Sequence, residues 1–120
     1  MYAIDLESII CNLVINSIEA FKKVSIKDRE IIITITVDDS HITINYKDNG
    51  PGISSYFLNP YDIFKLGVTD KRDPISGEVI GTGLGMYIIA VTIAEYNGEI
   101  LLSEQKNGFE LDITIPIERE

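Results

Sequence analysis

The sequence predicts an α+β fold, a two-layer α/β sandwich with helices on one face of a mixed, mostly antiparallel sheet. Two observations lead there. Two long stretches repeat apolar residues at helical spacing, while four short runs alternate or are β-branched. Their order is helix, two strands, loop, helix, two strands, which places both helices against one sheet. At 120 residues the chain is one domain, 1–120.

Residues 5–23 read as the first helix, with Asp5 as its N-cap and Leu6, Ile9, Ile10, Leu13, Val14, Ile18 and Phe21 at helical spacing. The run EIIITITV (30–37) is a strand, Asp38, Asp39 and Ser40 a turn, and HITINYK (41–47) its hairpin partner. A loop rich in Gly, Pro and Ser covers 48–55, and Pro60–Leu66 fits a short helix. Residues 67–82 carry Gly, Pro, Asp and Thr with little periodicity, which suggests a lid, partly disordered without ligand. Leu84–Tyr96 is the second long helix, ended by Asn97 and Gly98. Strands at 99–104 and 109–116 close the chain, and the apolar residues of both helices and all strands are expected in the core.

Apolar residues make up 45% and charged residues 24%, enough for a soluble core. The net charge of −9 argues against a nucleic-acid partner, because a phosphate backbone needs a basic footprint. A polyanionic small ligand would need a metal ion and backbone donors. No apolar run can span a bilayer, and Met1–Leu6 lacks the features of a signal peptide. The expectation is a cytoplasmic domain without direct membrane contact, with membrane anchorage of the full-length protein left open. The single Cys11 excludes an intramolecular disulfide and reads as a small buried hydrophobe. His41, the one histidine, begins a strand beside a turn and reads as structural.

Three polar islands interrupt the apolar design. Asn12 and Asn16 share a helix face at i and i+4, with Glu19 near it one turn on. Burying an unpaired amide costs about 1–3 kcal/mol, so two in a row need partners, and an amide oxygen is a hard ligand suited to Mg²⁺. Taken alone, the row reads more simply as a solvent-facing flank. The second island is DNGPGI (48–53), directly after a strand. A carboxylate there can accept from an exocyclic amine such as adenine N6, and would repel the carbonyl of guanine; alone, it reads more simply as a turn with an Asx bond. The third is GTGLGM (81–86), where glycines precede a helix whose free N–H groups can meet a phosphate. It matches neither a dinucleotide fingerprint nor a P-loop, and a flexible loop-to-helix junction fits it as well.

In order, these islands resemble the GHKL superfamily and its ATP-binding Bergerat fold. NLVINSIEA is similar to the N box, DNGPGI to the G1 box, GTGLGM to the G2 box, and YDIFKLGVTDK (61–71) to the F box and the start of the ATP lid. The resemblance runs from about residue 6 to residue 116. It implies ATP and Mg²⁺ as cofactors, with Asn16 coordinating the metal and Asp48 reading adenine. Gly50, Gly52 and Ile53 would shape that turn, and Phe64 would pack under the lid. Gly81, Thr82, Gly83, Leu84 and Gly85 would cradle phosphates, and Lys71 would reach the terminal ones.

Relatives that hydrolyse ATP carry Glu at the position of Asn12. An amide cannot act as general base at neutral pH, so the resemblance is closest to sensor histidine kinase catalytic domains, with Asn12 and Lys71 as catalytic positions. The implied activity is transfer of the γ-phosphoryl group to a histidine. The implied partners are a helical dimerisation and phosphoacceptor domain, in the same or another chain, and indirectly a response regulator. The phosphoacceptor region and the strand usual before the N box are absent from this sequence. Phe109, not Thr, follows Gly108. The alternatives are an ATPase or chaperone-like switch of the same superfamily, and a non-catalytic interaction module.

Overall fold

A computed structural model describes residues 1–54, 57–65, 85–103 and 108–117. The chain forms α1 (Ala3–Phe21), β1 (Ile31–Val37), β2 (His41–Asp48), a 3₁₀ helix (Pro60–Phe64), α2 (Gly85–Glu95), β3 (Glu99–Leu102) and β4 (Phe109–Pro116). The sheet order is β1-β2-β4-β3. All three pairings among the described residues are antiparallel, in the α+β arrangement expected. Two hairpins are joined through β2 and β4, which pair Ile44 with Ile113 and Tyr46 with Leu111. The lid expected at 67–82 lies outside the described residues.

The core follows from two periodicities. On α1 the buried residues are Ile9, Leu13, Ser17 and Phe21, a row spaced by four. On the strands the alternation puts Ile44 and Tyr46 of β2 and Leu111, Ile113 and Ile115 of β4 on the helix-covered face. Met86, Ile89 and Ile93 of α2 complete the cluster. Each such side chain contributes about 1.5–3 kcal/mol when fully buried.

Four expectations need correction. Asp5 does not cap α1: the N-cap position is Tyr2, without a side-chain bond. Asp5 lies in the first turn, where its carboxylate accepts from the Tyr96 hydroxyl, and that hydroxyl also accepts from the Tyr2 N–H at 3.1 Å. α1 ends at Phe21, before the exposed Lys22 and Lys23. Cys11 is exposed, because it stands about 200° around the helix from Ile9 and Leu13. Finally, the core is narrower than expected. Ile33, Ile35 and Val37 face the same side as Tyr46, Ile44 and Ile42, yet are 36%, 45% and 63% exposed on the edge strand β1, of which only Ile31 packs against the core among the described residues. Ile15 and Ile18 on α1 are exposed as well.

The connections have local causes. In the β1–β2 turn, Asp38 Oδ1 accepts from the N–H groups of Ser40 and His41, both at 2.7 Å. These bonds hold the Asp38 carboxyl below its usual range. The end of α2 is a Schellman motif, with Gly98 N–H donating to the Ile93 carbonyl at 2.9 Å and Asn97 N–H to Ala94 at 3.0 Å. Asn97 supplies the left-handed residue, at φ 58°. Gly98 is confined by packing: a Cβ there would lie 2.8 Å from the Thr114 carbonyl oxygen and 2.9 Å from Ile93.

Candidate functional site

The islands converge on α1. Asp48 continues the inward alternation of Ile44 and Tyr46, so its carboxylate turns in beneath the helix at the end of the sheet and is only 8% exposed. There Ser17 donates to Asp48 Oδ2 at 2.6 Å. Asp48 Oδ1 accepts from Gly50 N–H at 2.9 Å, the Asx bond, and from Phe109 N–H at 3.3 Å. The latter bond comes from the residue that stands where a threonine is absent.

The loop after β2 is built to hold that carboxylate. Asn49 stitches it to the segment before β1, accepting from Glu30 N–H at 2.8 Å and donating to the Asp28 carbonyl at 2.6 Å. Gly52 takes φ 78° and Gly108 takes φ 112°, both in the left-handed region. Gly108 also abuts the end of β2, where a Cβ would fall 2.0 Å from the Asp48 carbonyl oxygen. Gly50 lies between Asp48 and the ring of Phe21, which would be 3.4 Å from a Cβ there. The guanidinium of Arg29 stacks on that ring at 5.8 Å from its centroid. Ile53 is half-buried in the same loop.

The third island meets the first where α2 begins. A Cβ on Gly85 would stand 3.3 Å from Asn12 Oδ1. The other end of that amide donates to the Ser8 carbonyl at 2.9 Å, one turn back. Asn12 and Asn16 are both half-buried, along a flank one residue before the core row. The opening turn of α2 holds no acidic residue. Phe64 is half-buried at the edge of the core, 6.4 Å from the ring of Tyr61, whose hydroxyl accepts from Leu102 N–H at 3.1 Å. Lys71, Gly81, Thr82, Gly83 and Leu84 lie outside the described residues. His41 is exposed and shares a hydrogen bond with Ser40 through Nδ1 at 2.9 Å.

Sequence reasoning passed over Ser17 and Tyr46. Tyr46 is fully buried, and its oxygen lies 2.5 Å from Ser17 Oγ and 3.0 Å from the Leu13 carbonyl. Burial raises its pKa above the usual tyrosine value, the Ser17 hydrogen bond works against that, and the Asp48 charge adds to it. The signal was present: Ser17 is the polar member of the row Ile9, Leu13, Ser17, Phe21.

Residues 1–119 match the family described as "Histidine kinase-, DNA gyrase B-, and HSP90-like ATPase", and the chain belongs to it. It is 29% identical over 113 residues to the sensor histidine kinase GlnK of Bacillus subtilis, across 92% of this chain and 25% of that protein. It is 30% identical over 119 residues to the sensor histidine kinase TmoS of Ectopseudomonas mendocina, across 96% of this chain and 11% of that protein. The chain thus spans a quarter or less of the length of these two relatives. Among solved structures, the catalytic domain of the histidine kinase ThkA is similar with a TM-score of 0.69 at 28% identity, covering 93% of this chain and 66% of that one. The mycobacterial sensor histidine kinase MprB shares the fold, with a TM-score of 0.66 at 19% identity, covering 97% of this chain and 74% of that one. No helix among the described residues is long and apolar enough to cross a membrane.

Proposed function

We propose that this chain is the nucleotide-binding part of a sensor histidine kinase, which holds Mg·ATP and offers its γ-phosphoryl group to a histidine on a separate helical dimerisation segment. A response regulator would then receive the group in turn. The observation that carries this reading is the Asp48 carboxylate, buried at a strand end with donors on both oxygens and adjoining the Asn-bearing helix.

The residues present suit such a ligand. Asp48 would accept from the adenine amine, and Asn16 would hold Mg²⁺ through its amide oxygen. Gly85 brings no side chain to the start of α2, where a Cβ would stand 3.3 Å from Asn12 Oδ1, and a phosphate cradle needs such open backbone. Bound Mg·ATP supplies the transferable phosphoryl group and the charge that neutralises it. Asn12 lacks basicity and its amide nitrogen is engaged with Ser8, which favours positioning over activation of water. Gly81, Thr82, Gly83 and Leu84 complete the proposal as the phosphate cradle, and Lys71 as the contact to the terminal phosphates.

Calorimetric titration with Mg·ATP and Mg·GTP tests it. ATP binding without GTP binding is expected, with loss of ATP binding in Asp48→Asn. A folded wild type that binds neither nucleotide would overturn the proposal. Phosphoryl transfer to a histidine-bearing helical hairpin supplied in trans, with negligible hydrolysis alone, separates the kinase from an ATPase.

A further inference from the structure

The Asp48 carboxylate does not stand by itself. A carboxylate offers about four lone-pair sites, two on each oxygen. On Oδ1 both are taken, by Gly50 N–H at 2.9 Å and Phe109 N–H at 3.3 Å. On Oδ2 one is taken by Ser17 at 2.6 Å, which among the described residues leaves one acceptor site on that oxygen. Three donors on two oxygens fix the rotation of the group, and among the described residues Ser17 is the donor on Oδ2, the oxygen that keeps an open site.

Proton counting extends the chain one step. The carboxylate only accepts, so the single Ser17 proton goes to Asp48. Tyr46 also has one proton, within reach of Ser17 Oγ at 2.5 Å and the Leu13 carbonyl at 3.0 Å. A carbonyl oxygen has two lone pairs, so the Leu13 carbonyl accepts from Tyr46 beside its helix bond, while the 2.5 Å contact ties the same hydroxyl to Ser17 Oγ. Tyr46, Ser17 and Asp48 thus form one connected relay of buried polar groups, in which each contact polarises the next. Ser17 is 2% exposed and Tyr46 is 0% exposed, so water does not compete for these contacts.

We infer that Ser17, oriented by Tyr46, is a positioning residue that aims the last acceptor of Asp48 and so sets selectivity for a base carrying an exocyclic amine. This rests on the nucleotide reading of the site and goes beyond it, by assigning the selectivity to a helix residue that acts through the Asp48 carboxylate. Without the Ser17 hydroxyl, Oδ2 has two uncommitted sites, the carboxylate turns more freely, and the amine loses its directional partner. The contact with a charged acceptor is of the stronger kind, so its loss is expected to matter about tenfold.

The test uses two Mg²⁺-bound triphosphates, ATP and the triphosphate of unsubstituted purine riboside, which lacks only the amine. Their affinity ratio isolates the contribution of the amine. In Ser17→Ala the ratio is expected to fall about tenfold, and in Tyr46→Phe it falls in the same direction by a smaller factor. A folded Ser17→Ala protein that keeps the wild-type ratio overturns the inference, even if both ligands bind more weakly, because a merely structural serine would affect both alike. Should Ser17→Ala not fold, Tyr46→Phe decides: an unchanged ratio there overturns the relay. A wild type that does not bind ATP overturns instead the nucleotide reading on which this depends, so the two failures are distinct.

Discussion

Replacing Gly108 with alanine should damage stability and site together. Its φ of 112° lies where an L-residue is strained, at a cost of about 1–3 kcal/mol. The added Cβ would also lie 2.0 Å from the Asp48 carbonyl oxygen and 3.1 Å from Asn49 Cα. Real Cβ contacts rarely come closer than about 3 Å, so β2 and β4 must part by roughly 1 Å at their shared end, an overpacking cost of about 1–3 kcal/mol. The sum is about 2–6 kcal/mol, a large part of the 5–15 kcal/mol typical of a domain. Phe109 follows Gly108 directly, and its N–H already reaches Asp48 Oδ1 at 3.3 Å, so the same displacement breaks that bond. Urea denaturation should show a lower midpoint at an unchanged slope, and ATP titration of the surviving folded protein should show weakened binding. A stability loss under about 0.5 kcal/mol would refute the reasoning, since it would mean the hairpin end yields without cost.

Alkaline pH should act through Tyr46. Its folded pKa is raised above the ordinary value near 10, so the neutral phenol is the form the fold prefers; its contribution is complete below the unfolded pKa and is lost as pH rises through the folded one. Urea midpoints should therefore fall more steeply at high pH for the wild type than for Tyr46→Phe, and equal slopes would contradict this. Tyr96, also raised through its bond to Asp5, requires Tyr96→Phe as the parallel control. At the end of α2, Asn97→Gly should change stability by less than about 1 kcal/mol, whereas Asn97→Val should cost roughly 1–3 kcal/mol, because a β-branched residue tolerates φ 58° poorly. Denaturation of the two variants checks it, and a fully tolerated valine would be the adverse result.

Local information carried most of the fold. The apolar periods of α1 and α2, the alternation of β1, β2 and β4, and the Asn97–Gly98 stop are each written in neighbouring residues, because helix and strand repeat over distances the chain itself sets. The three polar islands were legible for the same reason, as departures from those periods. What the sequence could not decide was which apolar residues are covered. Ile33, Ile35 and Val37 carry the pattern of a core strand but lie on the sheet edge, and Cys11 faces water. Burial depends on which elements lie opposite, and that is a property of the packed whole.

Nor could sequence spacing bring Ser17 to Asp48 across 31 positions, or the Phe109 N–H to the same carboxylate across 61. Those contacts follow from the β2–β4 register, which sets Asp48 opposite Phe109, and from α1 crossing the same end of the sheet. The sequence by itself determined the elements and the chemical groups at their ends. Only the tertiary structure decided that a helix serine, a buried tyrosine and a strand amide hold one carboxylate, because a hydrogen bond has a range of about 3 Å and only folding brings such distant residues that close.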